Sequence, residues 1–277
     1  MSATVEPPAR WDEAETCFLE VSGIRVRVRV MGSGPPLALL MGIGANLDMW
    51  QPLVPSLGTR ELVAFDAPGT GGSSAARWPM SMAQHAALAG KVLDRLGFDR
   101  CDVLGVSWGG LLAQKLAIAQ PARVRRLVLA ATLPGLGSVP GSPSAMRTLL
   151  TPRRYYSREH FTRVAPALYG GRARTHPETL TREMHHRLAR PPSPAGYVAQ
   201  MVATWTYSGY PVLHRVRAPT LVIAGDDDPI VPVANARLLA RLVPDAELHV
   251  VPGGGHLFLI DGTPGVGAVI GAFLDRP

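Results

Sequence analysis

Three residue types, in one order along the chain, carry the chemistry this sequence is equipped for. Ser107 stands in Gly105–Val106–Ser107–Trp108–Gly109, with one glycine two positions before it and another two positions after. Downstream, "LVIAGDDDPIVP" sets Asp226, Asp227 and Asp228 at the end of an apolar run, and "VPGGGHLFLI" sets His256 behind three glycines. A serine hydroxyl is a weak nucleophile, so it needs a base within hydrogen-bond reach and an acid that orients the base. The order Ser, acid, His is one in which such sets occur. Their chemistry is attack on an acyl carbon through a covalent intermediate.

Each position has competitors. A G-x-S-x-G match also describes a tight turn with an incidental serine, and the chain has 29 glycines. Asp228 fits the spacing G-x-x-D-x-x-x-P with Gly225 and Pro232, which favours it as the acid. Asp226 and Asp227 then read as turn-forming or capping residues, and stay open as alternatives. His249 falls within a strand, His85 precedes the serine, and five histidines fall in the middle of the chain, which leaves His256 as the base. The adjacent His185 and His186 have no carboxylate cluster beside them, so neither a metal nor another cofactor is expected. Backbone N–H groups at Trp108 and, in "MGIGAN", at Ile43 are the expected oxyanion donors. Asp66, in "AFDAPGTGG", reads as a structural turn residue.

The elements around these residues follow from apolar periodicity. "TCFLEV" and "IRVRVRV" read as a hairpin turning at Ser22–Gly23, the second strand with its arginines on a wet face. "PPLALL", "ELVAF", "CDVLGV", "VRRLVLA", "PTLVIAG" and "AELHVV" are short apolar runs, as expected of strands covered on both sides. Helical spacing over 81–97 ends at Gly97, "WGGLLAQKLAIAQ" follows Ser107 directly, and "VANARLLARLV" lies between the last two runs. Strands alternating with helices predict an α/β fold with a mostly parallel sheet. Ser107 therefore falls on a strand-to-helix turn, where its flanking glycines prevent collision and the helix N-terminus favours developing negative charge. Residues 134–212 break the alternation and predict an inserted helical lid over the C-terminal edge of the sheet. The core is then 16–133 and 213–277, with 1–15 as an N-terminal extension.

Composition limits the remaining possibilities. The net charge is +7, and the stretch from Pro134 to Thr220 carries twelve arginines against three acids. No nucleic-acid-binding motif accompanies that charge, so a solvated helical face is expected there, with an anionic interface as the alternative. The sequence contains no apolar run long enough to span a membrane. Its start lacks a basic segment followed by an apolar one, and two cysteines do not make a disulfide framework. These features predict a cytoplasmic protein.

The motifs "MGIGAN", "AFDAPGTGGSS", "LGVSWGGLLAQ", "LVLAAT", "TPRRYY", "APALYGG", "PTLVIAGDDDPIVP" and "GGGHLFLI" together resemble the intracellular medium-chain-length polyhydroxyalkanoate depolymerases. The resemblance runs over nearly the whole chain. It implies the α/β-hydrolase fold, a Ser107–Asp228–His256 triad, hydrolysis of polyester to 3-hydroxy fatty acids, and association with a polyester granule. A relative acting on another ester, a thioester or a lactone, or an acyltransferase, would keep the same core motifs. A non-catalytic binding protein of this fold usually lacks a triad position, and none is lacking here. The first half of the insertion matches the family better than the second.

Overall fold

The computed structural model describes residues 10–277, apart from the side chains of residues 181–183. The part of the N-terminal extension before residue 10 therefore lies outside the described residues. Trp11 is fully buried, and its indole N–H donates to the Leu47 carbonyl at 2.7 Å, which fastens the start of the described chain to the core.

The strands are β1 (Thr16–Val21), β2 (Ile24–Met31), β3 (Pro36–Leu40), β4 (Glu61–Phe65), β5 (Cys101–Val106), β6 (Val124–Ala130), β7 (Thr220–Gly225) and β8 (Ala246–Val251). They form one sheet in the order β1-β2-β4-β3-β5-β6-β7-β8. The β1–β2 and β2–β4 pairings are antiparallel, and every later pairing is parallel. The β1–β2 turn falls on Ser22 and Gly23, both with positive φ, as its sequence predicts.

Helices α1 (Met82–Arg95) and α2 (Trp108–Ala119) precede β6. Between β6 and β7 come α3 (Pro143–Leu149), α4 (Arg158–Tyr169), α5 (Arg172–Thr175), α6 (Leu180–Ala189) and α7 (Pro194–Trp205). α8 (Val233–Leu242) joins β7 to β8, and α9 (Val266–Leu274) follows β8. No helix among the described residues is long and apolar enough to cross a membrane.

Strand side chains alternate between two cores, as the period of two requires. Ala38, Leu40, Val103, Leu127 and Val222 pack with α1, α2 and α8. Leu37, Leu39, Leu104, Val128 and Leu221 pack on the other side with α9 and the α3–α6 insertion. α1 begins with a reciprocal cap in which Ser81 accepts from the Gln84 amide and the Gln84 side chain accepts from the Ser81 amide.

The expected wet face of β2 is a correction. Arg25 is exposed, but Arg27 and Arg29 are buried. Arg27 makes a two-pronged contact to Asp48 at 2.8 and 2.9 Å and reaches Asp66 at 3.3 Å. Arg29 also pairs with Asp48, at 2.9 Å. Residues 41–60, connecting β3 to β4, bring Asp48 under β2, an arrangement that period-two alternation cannot register. Burial pushes the Asp48 carboxyl up, but the hydrogen bond and charge of Arg27 outweigh it and hold the group below the usual carboxylate range.

Candidate active site

Ser107 sits between β5 and α2 with φ 54° and ψ −117°, a conformation that an L-residue adopts only under constraint. The constraint is visible in the surroundings. Its amide donates to the Ala130 carbonyl at 2.9 Å, and its carbonyl accepts from Thr132 Oγ1 at 2.7 Å. The glycines are required for space: a Cβ on Gly105 would lie 2.3 Å from the Gly109 carbonyl oxygen, and one on Gly109 would lie 2.0 Å from that of Leu40. The turn thus presses against the end of β3, and Gly42 lies alongside Ser107.

Asp228 and His256 come from the loops after β7 and β8. One Asp228 oxygen lies 2.7 Å from His256 Nδ1, and the other accepts the amides of Ile230 and Val231 at 2.8 and 2.9 Å. Both residues are buried. The neighbouring aspartates do different work. Asp226 accepts from the Gly253 amide at 2.7 Å, and Asp227 accepts from the Gly171 amide at 2.7 Å and pairs with Arg174. A Cβ on Gly225 would lie 2.0 Å from the Gly254 carbonyl oxygen, so the two loops meet backbone to backbone. His256 and Ser107 line one cavity of about 70 Å³ together with Met41, Gly42 and Ile43.

The loop after β3 is held from the insertion. Tyr155 donates to the Ile43 carbonyl, and Gln200 on α7 accepts from the Gly44 amide at 2.7 Å. The Gln200 carbonyl also accepts the Trp108 indole N–H at 3.2 Å. One buried glutamine thereby contacts both the loop after β3 and the side chain of the residue that follows Ser107. Sequence reading missed Gln200, since a polar residue in an otherwise apolar helix face was the only local signal. The Ile43 amide donates to no carbonyl or side chain among the described residues. Trp108 occupies the first position of α2, where an amide has no intrahelical acceptor.

A second cavity, of about 330 Å³, also reaches Ser107. Its walls are mostly apolar and include Ile43, Leu111, Leu133, Leu149 and Met201. Leu136, Val139, Leu150 and Trp205 line it while remaining exposed, so its rim presents apolar surface to solvent. Asp66 lies away from both cavities, accepting from the Leu47 and Gly72 amides at 2.7 Å each, as a turn residue does.

The arginine-rich insertion departs from a simple solvated face. Arg147, Arg153, Arg158, Arg163 and Arg190 are exposed. Arg154 and Arg187 are buried instead and line the cavity shared by Ser107 and His256. Aromatic neighbours explain their burial: Arg154 stacks on Tyr155 and Tyr197, and Arg187 on Tyr155, Phe161 and Tyr169.

A parallel sheet with an antiparallel edge, a serine on a strained β5–α2 turn, and two further loops converging on it define the class. The chain belongs to the α/β-hydrolase fold family, whose model matches residues 35–263. It is 41% identical over 262 residues to a poly(3-hydroxyalkanoate) depolymerase of Ectopseudomonas oleovorans, covering 93% of this chain and 92% of the relative. A solved hydrolase from Pseudomonas aeruginosa PA01 superposes with a TM-score of 0.80 at 26% identity, over 95% of this chain and all of that one. The enol-lactonase from Burkholderia xenovorans LB400 shares the fold alone, with a TM-score of 0.80 at 22% identity over 94% of this chain and all of that one.

Proposed function

We propose that this chain is a serine esterase that cleaves poly(3-hydroxyalkanoate) and its oligomers to 3-hydroxy fatty acids through an acyl-enzyme on Ser107. The observation that carries the reading is a buried Asp228–His256 pair facing the same cavity as a serine held at φ 54°. His256 takes the Ser107 proton as Oγ bonds to the ester carbon, and Asp228 fixes the imidazole and stabilises its charged form. The amides of Ile43 and Trp108 hold the tetrahedral oxyanion. The carbon–oxygen bond then breaks, the leaving alkoxide takes the proton from His256, and water activated by the same imidazole releases the acid. A nucleophile–base contact commonly tightens once substrate is bound.

Two features support the substrate class. The relative from Ectopseudomonas oleovorans spans the same length and carries this activity in its name. The apolar cavity of about 330 Å³ suits alkyl side chains, and its exposed apolar rim suits a polyester surface, under a lid formed by residues 134–212. The test pairs fluorophosphonate labelling with release of 3-hydroxyoctanoate from the polyester. Ser107→Ala is expected to lose labelling and to lose turnover by at least about 10³-fold, with an unchanged circular dichroism spectrum. Turnover retained in that variant overturns the mechanism, whereas labelling of the native chain without release of hydroxy acid overturns the substrate.

A further inference from the structure

Beside Ser107 lies a group of buried donors that the reaction above leaves unused. Arg154 and Arg187, each 2% exposed, line its cavity together with Trp50 and Tyr169. All four carry a buried polar atom without a hydrogen-bond partner among the described residues: Arg154 Nε, Arg187 Nε, Trp50 Nε1 and the Tyr169 hydroxyl. The three nitrogens only donate, and a phenol can donate as well. No aspartate or glutamate is among the described residues lining this cavity.

Buried polar groups in folded proteins are nearly always paired, and an uncompensated buried charge is costly. Arg154 and Arg187 are two buried guanidinium ions lining one small cavity, and neither forms an ion pair among the described residues, so a common anionic partner is called for. The aromatic stacks account for the faces of the arginines: Arg154 lies 4.7 Å from the Tyr155 ring centre, and Arg187 lies 5.5 Å from that of Tyr169. Stacking engages the flat face of a guanidinium and leaves its fork of N–H groups at the edge. Arg154 directs Nη1 to the Tyr197 hydroxyl at 2.9 Å and to the Thr151 carbonyl at 3.2 Å, which leaves Nε unengaged. A carboxylate supplies the missing elements together, a negative charge and several acceptor sites for donors of this kind.

We propose that Arg154 and Arg187 form a carboxylate-binding subsite beside Ser107, so that the preferred substrate is an ester made on the hydroxyl of a 3-hydroxy acid whose own carboxylate is free. This deepens the esterase reading and rests on it. In such an ester only two carbons separate the ester oxygen from the carboxylate, so both groups fall within one cavity. The same imidazole, His256, is stacked on Tyr169 with ring centres 6.4 Å apart, and Arg187 lies on that tyrosine too. When the ester bond breaks, the alkoxide takes its proton from His256 and departs as a 3-hydroxy carboxylate held by the arginines, while the acyl group stays on Ser107 until water releases it. Short oligoesters and the carboxyl ends of longer chains are then cleaved first, one unit at a time.

The test compares the free-acid dimer of 3-hydroxyoctanoate with its methyl ester, which lacks that charge and carries one added methyl group, with cleavage of the ester between the two units as the readout. The native chain is expected to favour the acid by at least tenfold in kcat/KM. Arg154→Gln and Arg187→Gln are each expected to lower the acid-to-ester ratio about tenfold, mainly through KM. A native ratio near one, or variants that slow both dimers in equal proportion, overturns the proposal. Calorimetric titration of the Ser107→Ala variant with the two dimers reads the subsite without turnover, and should show the acid binding at least tenfold tighter; equal binding overturns the proposal. A native chain that hydrolyses no ester at all fails the esterase reading instead, while the titration still judges the subsite. Should an arginine variant fail to fold, the native ratio and the titration decide.

Discussion

Asp228 accepts two backbone amides on one oxygen and holds an imidazole nitrogen with the other, whereas its neighbours bind only backbone amides and a surface arginine. That division predicts the outcome of three single substitutions. Asp228→Asn is expected to cut kcat by about 10³–10⁴-fold, because the amide cannot stabilise a protonated His256. Asp226→Asn and Asp227→Asn are expected to stay within about tenfold of the native rate, since neither touches His256; steady-state kinetics on a soluble ester check all three. The residue spacing alone proposed Asp228 through the interval from Gly225 to Pro232, and chain order proposed Ser107 and His256. Arg154, Arg187 and Gln200 were not legible in that way. The neighbours of the two arginines come from separate segments of the insertion, and those of Gln200 from the loop after β3 and from α2. No local pattern distinguishes a buried arginine from its exposed neighbours.

Strands and helices were readable wherever burial is one-sided or complete. α1, α2, α8 and all eight strands form where their apolar spacing places them, and the helix after Ser107 begins where the glycine pattern requires. β8, read as covered on both sides, is instead an edge strand with only Val251 buried. α9 escaped notice because its apolar positions Val266, Ile270 and Phe273 are interleaved with the helix-weakening Gly267 and Gly271. β2 misled for another reason: its arginines face a buried carboxylate delivered by a distant loop, and alternation cannot tell an ion pair from water. At this scale Gly109→Ala is expected to cost at least about 1–3 kcal/mol in denaturant unfolding, because the added methyl meets the end of β3. The α1–α2 packing also predicts a pH response. His85 on α1 meets the Trp108 ring edge-on at 5.0 Å, and burial pushes its pKa from 6.5 down to about 4. The folded chain then binds fewer protons than the unfolded chain between those values, so stability falls as the pH drops from 6.5 toward 4. Tm measured across that range is expected to decline, and His85→Leu to flatten the decline.

For the molecule as a whole, the two cavities meeting at Ser107 differ in character, one carrying charged donors and the other nearly all apolar. Trp205 stands exposed on the rim of the second. Trp205→Ser is expected to lower the ratio of activity on dispersed polyester to activity on a soluble ester by about tenfold, measured at matched enzyme concentration. The insertion is also fastened to the loops on which the proposed chemistry depends. The Tyr169 carbonyl at the end of α4 accepts the His256 amide at 2.7 Å, and the next turn donates from Gly171 to Asp227. A Cβ on Gly255 would lie 2.3 Å from the Tyr169 oxygen, so backbone touches backbone there. Grafting the whole insertion of a distant relative onto this scaffold would therefore carry away the seat of the imidazole along with much of the cavity walls. A chimera that keeps residues 168–174 native should stay active on a small ester, and one that replaces them should not. For anyone redesigning the substrate range, or tracing how it diverged, the unit free to vary is narrower than the stretch between the sixth and seventh strands.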